Sequence, residues 1–191
     1  METRDLADKT FAFGTTPFYF LRHGETPESR DGVLQGQNET LLTAAGRKMA
    51  ENAGHRLAEV PLGSIYASPL KRAWQTASIV SVLTGAPVHP LPGLMERHWG
   101  VYQGQPKHLR PSLPNPKSAE PIAEFSDRIV RAIESISGPA PVLIVTHSGV
   151  FRVICEHIGV TLDRSISVTS GLVLKFEPPT GGKSSWRIGV V

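Results

Sequence analysis

Short apolar runs alternate along the chain with stretches whose apolar residues are spaced three or four positions apart. Three of the runs predict strands: residues 17–21, 63–68 and 141–147. The last run reads "PVLIVTH", and a continuous apolar run of this kind is typical of a strand buried on both faces of a parallel sheet. Val88 predicts a small edge strand, and two later runs predict a closing hairpin: residues 171–178 and 185–191.

The intervening stretches have the apolar spacing of helices, at residues 44–60, 69–85, 119–137 and 148–159. Thr43, Ser68 and Ser118 are the expected N-caps of the first three helices. Pro69 is expected at the first position of the second helix, and Gly85 at its end. Residues 103–117 are rich in proline and polar side chains, which predicts an irregular surface loop.

Strands that alternate with helices indicate an α/β fold, here a three-layer α/β/α sandwich with a mostly parallel central sheet. We expect one domain over residues 16–191, preceded by a loosely ordered arm over residues 1–15. Ligands of such folds bind beyond the carboxyl ends of the strands. The residues that follow the three predicted parallel strands should therefore converge on one site.

Each of these strands ends in a polar or basic group: Arg22-His23, residues 68–72 with Arg72, and His147-Ser148. Two guanidinium groups can bind phosphate oxygens in a bidentate manner. Helices that begin near Ser68 and Ser148 would direct backbone N–H groups at the same anion. The pattern predicts an oxyanion-binding pocket, with phosphate as the favoured ligand.

Composition narrows the function classes. Hydrophobic residues make up 40% of the 191 and charged residues 19%, which indicates a globular chain. The net charge of +3 is spread without a Lys/Arg run, which disfavours nucleic-acid binding. No apolar run reaches the length of a membrane span, and the first residues lack a signal-peptide core, so we expect a cytoplasmic protein. The single cysteine, Cys155, has apolar neighbours typical of a buried, inert thiol.

Five stretches, in this order, resemble motifs of the histidine phosphatase superfamily, which has the phosphoglycerate-mutase-like fold. They are "LRHGET", "LQGQNETLLTAAGRKMA", "IYASPLKRAWQTA", "LPGLMERHWGVYQG" and "VLIVTHSGV". The resemblance implies that His23 is a nucleophile that accepts the phosphoryl group and that Glu96 is the general acid and base. It also implies that Arg22, Arg72 and His147 bind the phosphate. No metal or other cofactor is implied, because the arginines supply the positive charge.

Two further positions, Gln37 and Ser148, have two interpretations each. Gln37 is predicted either to contact the substrate or to stabilise a turn. Ser148 is predicted to offer its hydroxyl or N–H to the phosphate, or to cap its helix. Ser29 stands where the family often has an asparagine that contacts phosphate, which puts that contact in doubt. Gly24 is predicted to let the backbone approach the phosphate closely.

The loop over residues 103–117 is short for a lid in this family, which favours hydrolysis because a thin lid excludes water poorly. The favoured function is a short-lid, metal-independent phosphatase that acts on phosphomonoesters. A phosphoglycerate-type mutase and a non-catalytic phospho-ligand binding module are the alternatives. The expected partner is a phosphorylated small molecule; a phosphoprotein substrate and a homo-oligomer both stay open.

Overall fold

A computed structural model describes residues 12–110, 117–160, 168–180 and 185–191. The strands are β1 (Phe18–Arg22), β2 (Ser64–Ala67), β3 (Val88–Pro90), β4 (Val142–Thr146), β5 (Val173–Glu177) and β6 (Arg187–Val190). The α-helices are α1 (Pro27–Arg30), α2 (Ala44–Leu57), α3 (Lys71–Thr84), α4 (Ile122–Glu134) and α5 (Ser148–His157). Short 3₁₀ turns lie at Pro92–Leu94, Gly100–Tyr102 and Lys107–Leu109.

The six strands form one sheet in the order β3-β2-β4-β1-β5-β6. The first four are parallel to one another, and β5 and β6 are antiparallel to their neighbours. Strand β4 lies between β1 and β2, and all five of its residues are buried, as its uninterrupted apolar sequence predicts. The predicted α/β class with a mostly parallel sheet is confirmed.

Alternating residues of each central strand contribute to two separate cores, because successive side chains in a strand point to opposite faces. Phe18 and Phe20 of β1 pack in one core with residues of α4 and α5. Leu21 of the same strand packs in the other core with residues of α2 and α3. The helices therefore cover both faces, which gives the predicted three layers. None of the described helices is long and apolar enough to cross a membrane.

Two predicted helix starts are wrong. Helix α3 begins at Lys71, because the N–H of Ser68 still bonds Val145 O of β4 (3.0 Å), which ties Ser68 to the end of the sheet. Helix α4 begins at Ile122, and Ser118 has a positive φ of 60°. Ser118 packs closely against the turn at Gly100, and that tertiary contact outweighs its capping preference.

The other predicted helix boundaries agree more closely with the structure. Thr43 caps α2 by accepting a hydrogen bond from the Gly46 N–H (2.9 Å), as predicted, and the helix ends at Leu57 rather than residue 60. Gly85 ends α3 in the left-handed conformation. The predicted closing hairpin of β5 and β6 is present, although its residues 181–184 lie outside the described part of the chain.

The structure describes only part of the predicted N-terminal arm and of the predicted loop over residues 103–117. Residues 1–11 of the expected N-terminal arm and residues 111–116 of the expected loop lie outside the described residues. In the described part of the arm, Phe13 stacks on Trp186, with ring centroids 6.1 Å apart.

A close backbone contact joins the end of β1 to helix α2. A Cβ added at Gly46 would lie 2.1 Å from Glu25 O, and one added at Gly24 would lie 2.3 Å from Gly46 O. Gly24 thus faces the backbone of α2 closely, where the sequence predicted a close approach to phosphate. The contact fixes the segment that follows His23 against α2.

We predict that Gly46→Ala destabilises the fold by about 1–3 kcal/mol, because the new methyl group meets backbone atoms that cannot move independently. Alanine in a helix interior is otherwise favoured by about 1 kcal/mol, so the sign of the change isolates the contact. Urea unfolding would measure it. Gly189→Ala in β6 is the control for a glycine replacement without a close contact, since a Cβ there meets no atom within 4 Å, and equal stability of both variants would contradict the prediction.

Candidate active site

The carboxyl ends of β1, β4 and β2 lie side by side, and hydrogen bonds continue past the strands. His23 N–H donates to Thr146 O, and Ser68 N–H donates to Val145 O, both at 3.0 Å. The rings of His23 and His147 lie with their centroids 5.2 Å apart. The three strand ends therefore meet at one place, as the parallel topology predicted.

A cleft of about 120 Å³ opens at this edge of the sheet. Its lining includes five residues that the sequence predicted for the site, namely Arg22, His23, Arg72, Glu96 and Ser148. Residues from the segment that follows α1, from the 99–110 region and from α5 complete the lining. They are Val33, Leu34, Gln35, Gly36, Trp99, Lys107, Arg110, Gly149 and Arg152.

Arg72, the second residue of α3, has 1% of its surface exposed. Its Nη1 donates to Asn38 O (2.9 Å) and its Nη2 to Gly36 O (2.7 Å), so two backbone carbonyls hold the guanidinium in place. Burial lowers the pKa of Arg72 to about 10, and the Glu96 carboxylate opposes that shift. Arg72 is therefore a fixed cation at neutral pH.

Arg22 is the last residue of β1, and its Nη1 donates to Val168 O at 2.7 Å. Burial lowers its pKa from the ordinary arginine value, again against the influence of Glu96. Within the described residues, four buried side-chain polar atoms have no hydrogen-bond partner: Arg22 Nε, Arg72 Nε, His147 Nδ1 and Gln35 Oε1. Unpaired buried donors are costly, and an anion with several acceptor oxygens would satisfy the nitrogen donors of this set, but not the Gln35 oxygen, which is itself an acceptor.

His23 is 3% exposed, and its Nδ1 lies 2.8 Å from Gly24 O. A carbonyl can only accept, so Nδ1 carries the hydrogen and Nε2 keeps the lone pair in the neutral ring. Burial and then the charges of Arg72 and Arg22 hold the pKa of His23 well below its usual range. The ring is thus a neutral nitrogen base at neutral pH.

His147 is the N-cap residue of α5 and is 1% exposed. Its Nε2 lies 2.8 Å from Ser68 Oγ, which also accepts a long hydrogen bond from Leu70 N–H at 3.4 Å. Burial, then Arg72 and His23, lowers the pKa of His147 well below its usual range. If the Ser68 hydroxyl donates to Nε2, Nδ1 carries the hydrogen and is a donor for an anion.

Two backbone N–H groups hold the Glu96 carboxylate at the cleft. Arg97 N–H donates to Oε1 (2.9 Å), and Gly149 N–H in α5 donates to Oε2 (3.1 Å). A Cβ at position 149 would lie 2.1 Å from Glu96 Oε1, so only glycine leaves room for this arrangement. The carboxylate is therefore positioned by α5, the helix whose N-cap residue is His147.

Comparison with known proteins identifies the family of the chain. The model of the histidine phosphatase superfamily (branch 1) matches residues 18–178. The chain belongs to that superfamily. The family model spans the five motifs that carry the resemblance, and the predicted family is confirmed.

Several relatives carry phosphatase names. A metal-independent phosphoserine phosphatase of Arabidopsis thaliana is 33% identical over 180 residues, which cover 80% of this chain and 75% of that protein. An agropine synthesis reductase of Rhizobium rhizogenes is 32% identical over 184 residues, covering 91% of this chain but 41% of that protein. The chain thus spans about two fifths of the length of some curated relatives that it matches. Bacillus stearothermophilus YhfR has a similar structure, with a TM-score of 0.77, 27% identity, and coverage of 92% of this chain and 96% of that one.

Of the other predicted site residues of this superfamily member, Ser148 lines the cleft, whereas His147, Gln37 and Ser29 are not among its lining residues. Ser148 lines it and is the first residue of α5, so it does not cap the helix. The Gln37 side chain donates through Nε2 to Glu96 O (3.0 Å). The Ser29 hydroxyl donates to Thr26 O and accepts from the Thr26 N–H, within a capping box for α1. Substrate contacts of Gln37 and Ser29 stay predictions.

Helix α3 does not offer its first amide to an anion as the sequence predicted, because Lys71 N–H donates to the protein's own Glu39 carboxylate (3.0 Å). Helices α3 and α5 both start beside the cleft, which Arg72 of α3 and Ser148 of α5 line. Within the described residues, no group of three or more His, Cys, Asp or Glu side chains has the arrangement of a metal site.

Sequence reasoning missed two contributors. The Gln103 amide joins the segment that holds Arg72 to the Glu96 segment, accepting from the N–H groups of Gln37 (2.8 Å) and Trp99 (3.2 Å) and donating to Asn38 Oδ1 (2.9 Å). Arg152 lines the cleft from α5. Arg152 follows Ser148 by four residues, so helical periodicity could have placed it at the cleft.

Because burial lowers the pKa values of His23 and His147, both rings stay neutral in the fold below pH 6.5, while the unfolded chain takes up their protons. The unfolded state then binds more protons, so the free energy of unfolding falls as the pH falls below about 6.5. We predict that His23→Gln flattens this dependence between pH 7 and 5, by up to about 1.4 kcal/mol per pH unit.

Urea unfolding of both proteins at pH 5, 6 and 7 would measure the slope. The exposed His55 provides the control, and His55→Gln should keep the wild-type slope. Parallel slopes for wild type and His23→Gln would show that His23 is not held neutral in the fold.

Proposed function

We propose that this protein is a metal-independent phosphomonoesterase that works through a phosphohistidine on His23, with Glu96 as general acid and base. The observation that carries the proposal is the buried, neutral His23 with its Nδ1 hydrogen on Gly24 O and its Nε2 lone pair beside two arginines. This is the protonation state that a nitrogen nucleophile needs at neutral pH.

In the first step, Nε2 of His23 attacks phosphorus and the ester P–O bond breaks. The protonated form of Glu96 gives its proton to the leaving alkoxide. The ring becomes positively charged as the N–P bond forms, and Gly24 O stabilises that charge through the Nδ1 hydrogen. The Arg22, Arg72 and His147 donors meet the charge on the equatorial oxygens of the phosphoryl group.

In the second step, a water molecule attacks phosphorus and gives a proton to the Glu96 carboxylate. The N–P bond breaks, and Nε2 regains its lone pair. Phosphate then leaves, and both His23 and Glu96 return to their starting states. The backbone hydrogen bonds from Arg97 and Gly149 keep the carboxylate in one place throughout, which general acid–base catalysis requires.

The cleft volume of about 120 Å³ supports a small phosphorylated molecule as the substrate. A relative named as a metal-independent phosphatase supports the absence of a metal from the reaction. The positioned Glu96 favours catalysis over a pure binding role, because phosphate binding alone gains nothing from a carboxylate beside the anion.

We predict that wild-type protein hydrolyses p-nitrophenyl phosphate in the presence of EDTA, and that His23→Ala lowers kcat/KM by more than about 10⁴-fold, as loss of a nucleophile does elsewhere. Brief reaction with ³²P-labelled substrate, stopped with SDS at alkaline pH because acid cleaves the P–N bond, should leave label on the wild-type chain alone. Activity that survives the substitution, or that EDTA removes, would overturn the proposed function.

We predict that the loss of activity caused by Glu96→Gln depends on the leaving group of the substrate. An alkoxide needs a proton, so glycerol 3-phosphate hydrolysis should fall by about 10²–10⁴-fold. p-Nitrophenolate leaves without protonation. The rate at which p-nitrophenyl phosphate phosphorylates His23 should therefore fall by about tenfold or less.

Gly149→Ala should show the same dependence, because its methyl group displaces the Glu96 carboxylate. The exposed Glu124 on α4 supplies the control, and Glu124→Gln should match wild type on both substrates. Pre-steady-state release of p-nitrophenol separates the first step from the second. Equal losses on both substrates in that step would exclude Glu96 as the acid.

A further inference from the structure

The backbone that carries Glu96 has no regular secondary structure. It lies between the 3₁₀ turns at Pro92–Leu94 and Gly100–Tyr102, so neither a helix nor a strand contains the carboxylate. A reacting group on irregular backbone needs support from the residues around it if it is to stay in one place. Residues 93–98 are called the acid segment below, and side chains from α4 and from the residues before it supply much of that support.

Side chains from two other elements bind three consecutive carbonyl groups of the acid segment. Arg128 of α4 donates through Nη1 to the first and the third, Gly93 O (2.8 Å) and Met95 O (3.0 Å). The carbonyl between them, Leu94 O, accepts from the hydroxyl of Thr146 in β4 (2.7 Å). The backbone that leads into the acid residue is therefore fixed to both α4 and the central strand.

Glu120, two residues before α4, binds the other end of the acid segment. Its Oε2 accepts from His98 N–H (3.1 Å), and its own N–H donates to His98 O (2.8 Å). Its carbonyl oxygen accepts from Arg97 Nε (2.8 Å). Glu120 thus holds the two residues that follow Glu96, one of which donates its N–H to the Glu96 carboxylate.

Arg128 and Glu120 are joined to each other by a bidentate ion pair. Arg128 Nε donates to Oε1 and Nη2 to Oε2, both at 2.9 Å. The two side chains are 22% and 16% exposed, so water has little access to them. An ion pair away from water adds little net stability, because the loss of hydration offsets the attraction. Its clearest consequence is geometric, since one rigid pair connects the backbone on both sides of Glu96.

We propose that Arg128 and Glu120 are positioning residues for general acid–base catalysis, because together they hold the acid segment so that the Glu96 carboxylate faces the leaving group. Neither residue is among those that line the cleft, so they act through Glu96. This inference rests on the proposed function, because it takes Glu96 to be the acid. Displacement of a reacting group by about 1 Å can cost on the order of 10²-fold in rate, which is the scale of effect available to such residues.

The leaving group tests this role in Arg128→Met. We expect kcat/KM for glycerol 3-phosphate to fall by about tenfold or more, while phosphorylation by p-nitrophenyl phosphate, which needs no acid, falls by about threefold or less. Glu120→Gln should show the same dependence. A substitution that only destabilises the fold lowers the concentration of active protein, and therefore both rates alike. Equal losses on the two substrates would overturn the proposal.

Two further variants of α4 are controls. Arg131→Met removes the same charge from an exposed position of the helix, and should keep wild-type rates on both substrates. Arg128→Lys separates geometry from charge, because the pKa of His147 is lowered by burial first and then by several neighbouring charges that include Arg128. Lysine keeps the charge but lacks the planar fork, so it should retain a loss of about threefold or more on glycerol 3-phosphate. Wild-type activity of Arg128→Lys would assign the effect to charge and overturn a positioning role.

Amide hydrogen exchange locates the carboxylate without any reaction. Gly149 N–H lies in the first turn of α5, where N–H groups lack an acceptor within the helix, and it donates to Glu96 Oε2. Val153 in the middle of α5 is the internal reference, because loss of global stability accelerates exchange at both amides. We expect Arg128→Met and Glu120→Gln to raise the Gly149 rate relative to Val153 by about fivefold or more, as measured by NMR.

The exchange measurement also separates this inference from the proposed function. Faster exchange at Gly149 in the two variants, together with no phosphatase activity of the wild type, would keep the positioning of Glu96 and remove the proposed reaction. A leaving-group dependence in Glu96→Gln that neither variant shares, with unchanged exchange at Gly149, would keep the proposed function and overturn the role of Arg128 and Glu120.

Discussion

The pairing of β4 with β1 on one side and β2 on the other is the constraint on which the site depends. All three strands are parallel, so their carboxyl ends reach one edge of the sheet, and the hydrogen bonds of His23 and Ser68 to β4 extend that register by one residue. The two histidines stand next to each other because their strands are neighbours. A slip of one residue in either ladder would exchange the two faces of a strand and separate them.

The energetic cost of this arrangement is the burial of cations. Arg72 is almost completely buried, and the fold compensates by directing the carbonyls of Gly36 and Asn38 at its guanidinium. The same carbonyls fix its orientation before any anion arrives, so little reorganisation accompanies binding. The two buried histidines stay uncharged because burial and then the neighbouring arginines disfavour a further positive charge. The stability of the site therefore depends on its protonation state.

Local sequence predicted much of the fold because strands and helices here follow their apolar periodicity. The buried run at β4, the Thr43 cap and the Gly85 stop could all be predicted from neighbouring residues. Ser68 and Ser118 have the same capping chemistry as Thr43, yet tertiary contacts keep both outside helices. Capping preferences of about 1 kcal/mol lose to a strand hydrogen bond combined with close packing.

The candidate site, like the fold, could be predicted from the sequence only in part. Arg22, His23, Arg72 and Glu96 could be placed together because strand ends converge and because the motifs resemble a known family, and the structure brings them to one cleft. The contribution of Gln103 could not be predicted, since its side chain bonds Gln37 and Asn38, which are 66 and 65 residues away in the chain. Contacts of that kind are set by how loops meet over the sheet, which no local pattern records.

The single cysteine has a practical consequence for work on this fold. Cys155 is completely buried in α5, and burial raises the pKa of its thiol to about 12, so it holds almost no reactive thiolate at neutral pH. The native chain therefore gives little background towards maleimide dyes or spin labels. A cysteine introduced at the exposed Leu109 would be the dominant labelling site, and a fluorophore there would lie between Lys107 and Arg110 of the cleft wall, where it would report on ligand binding.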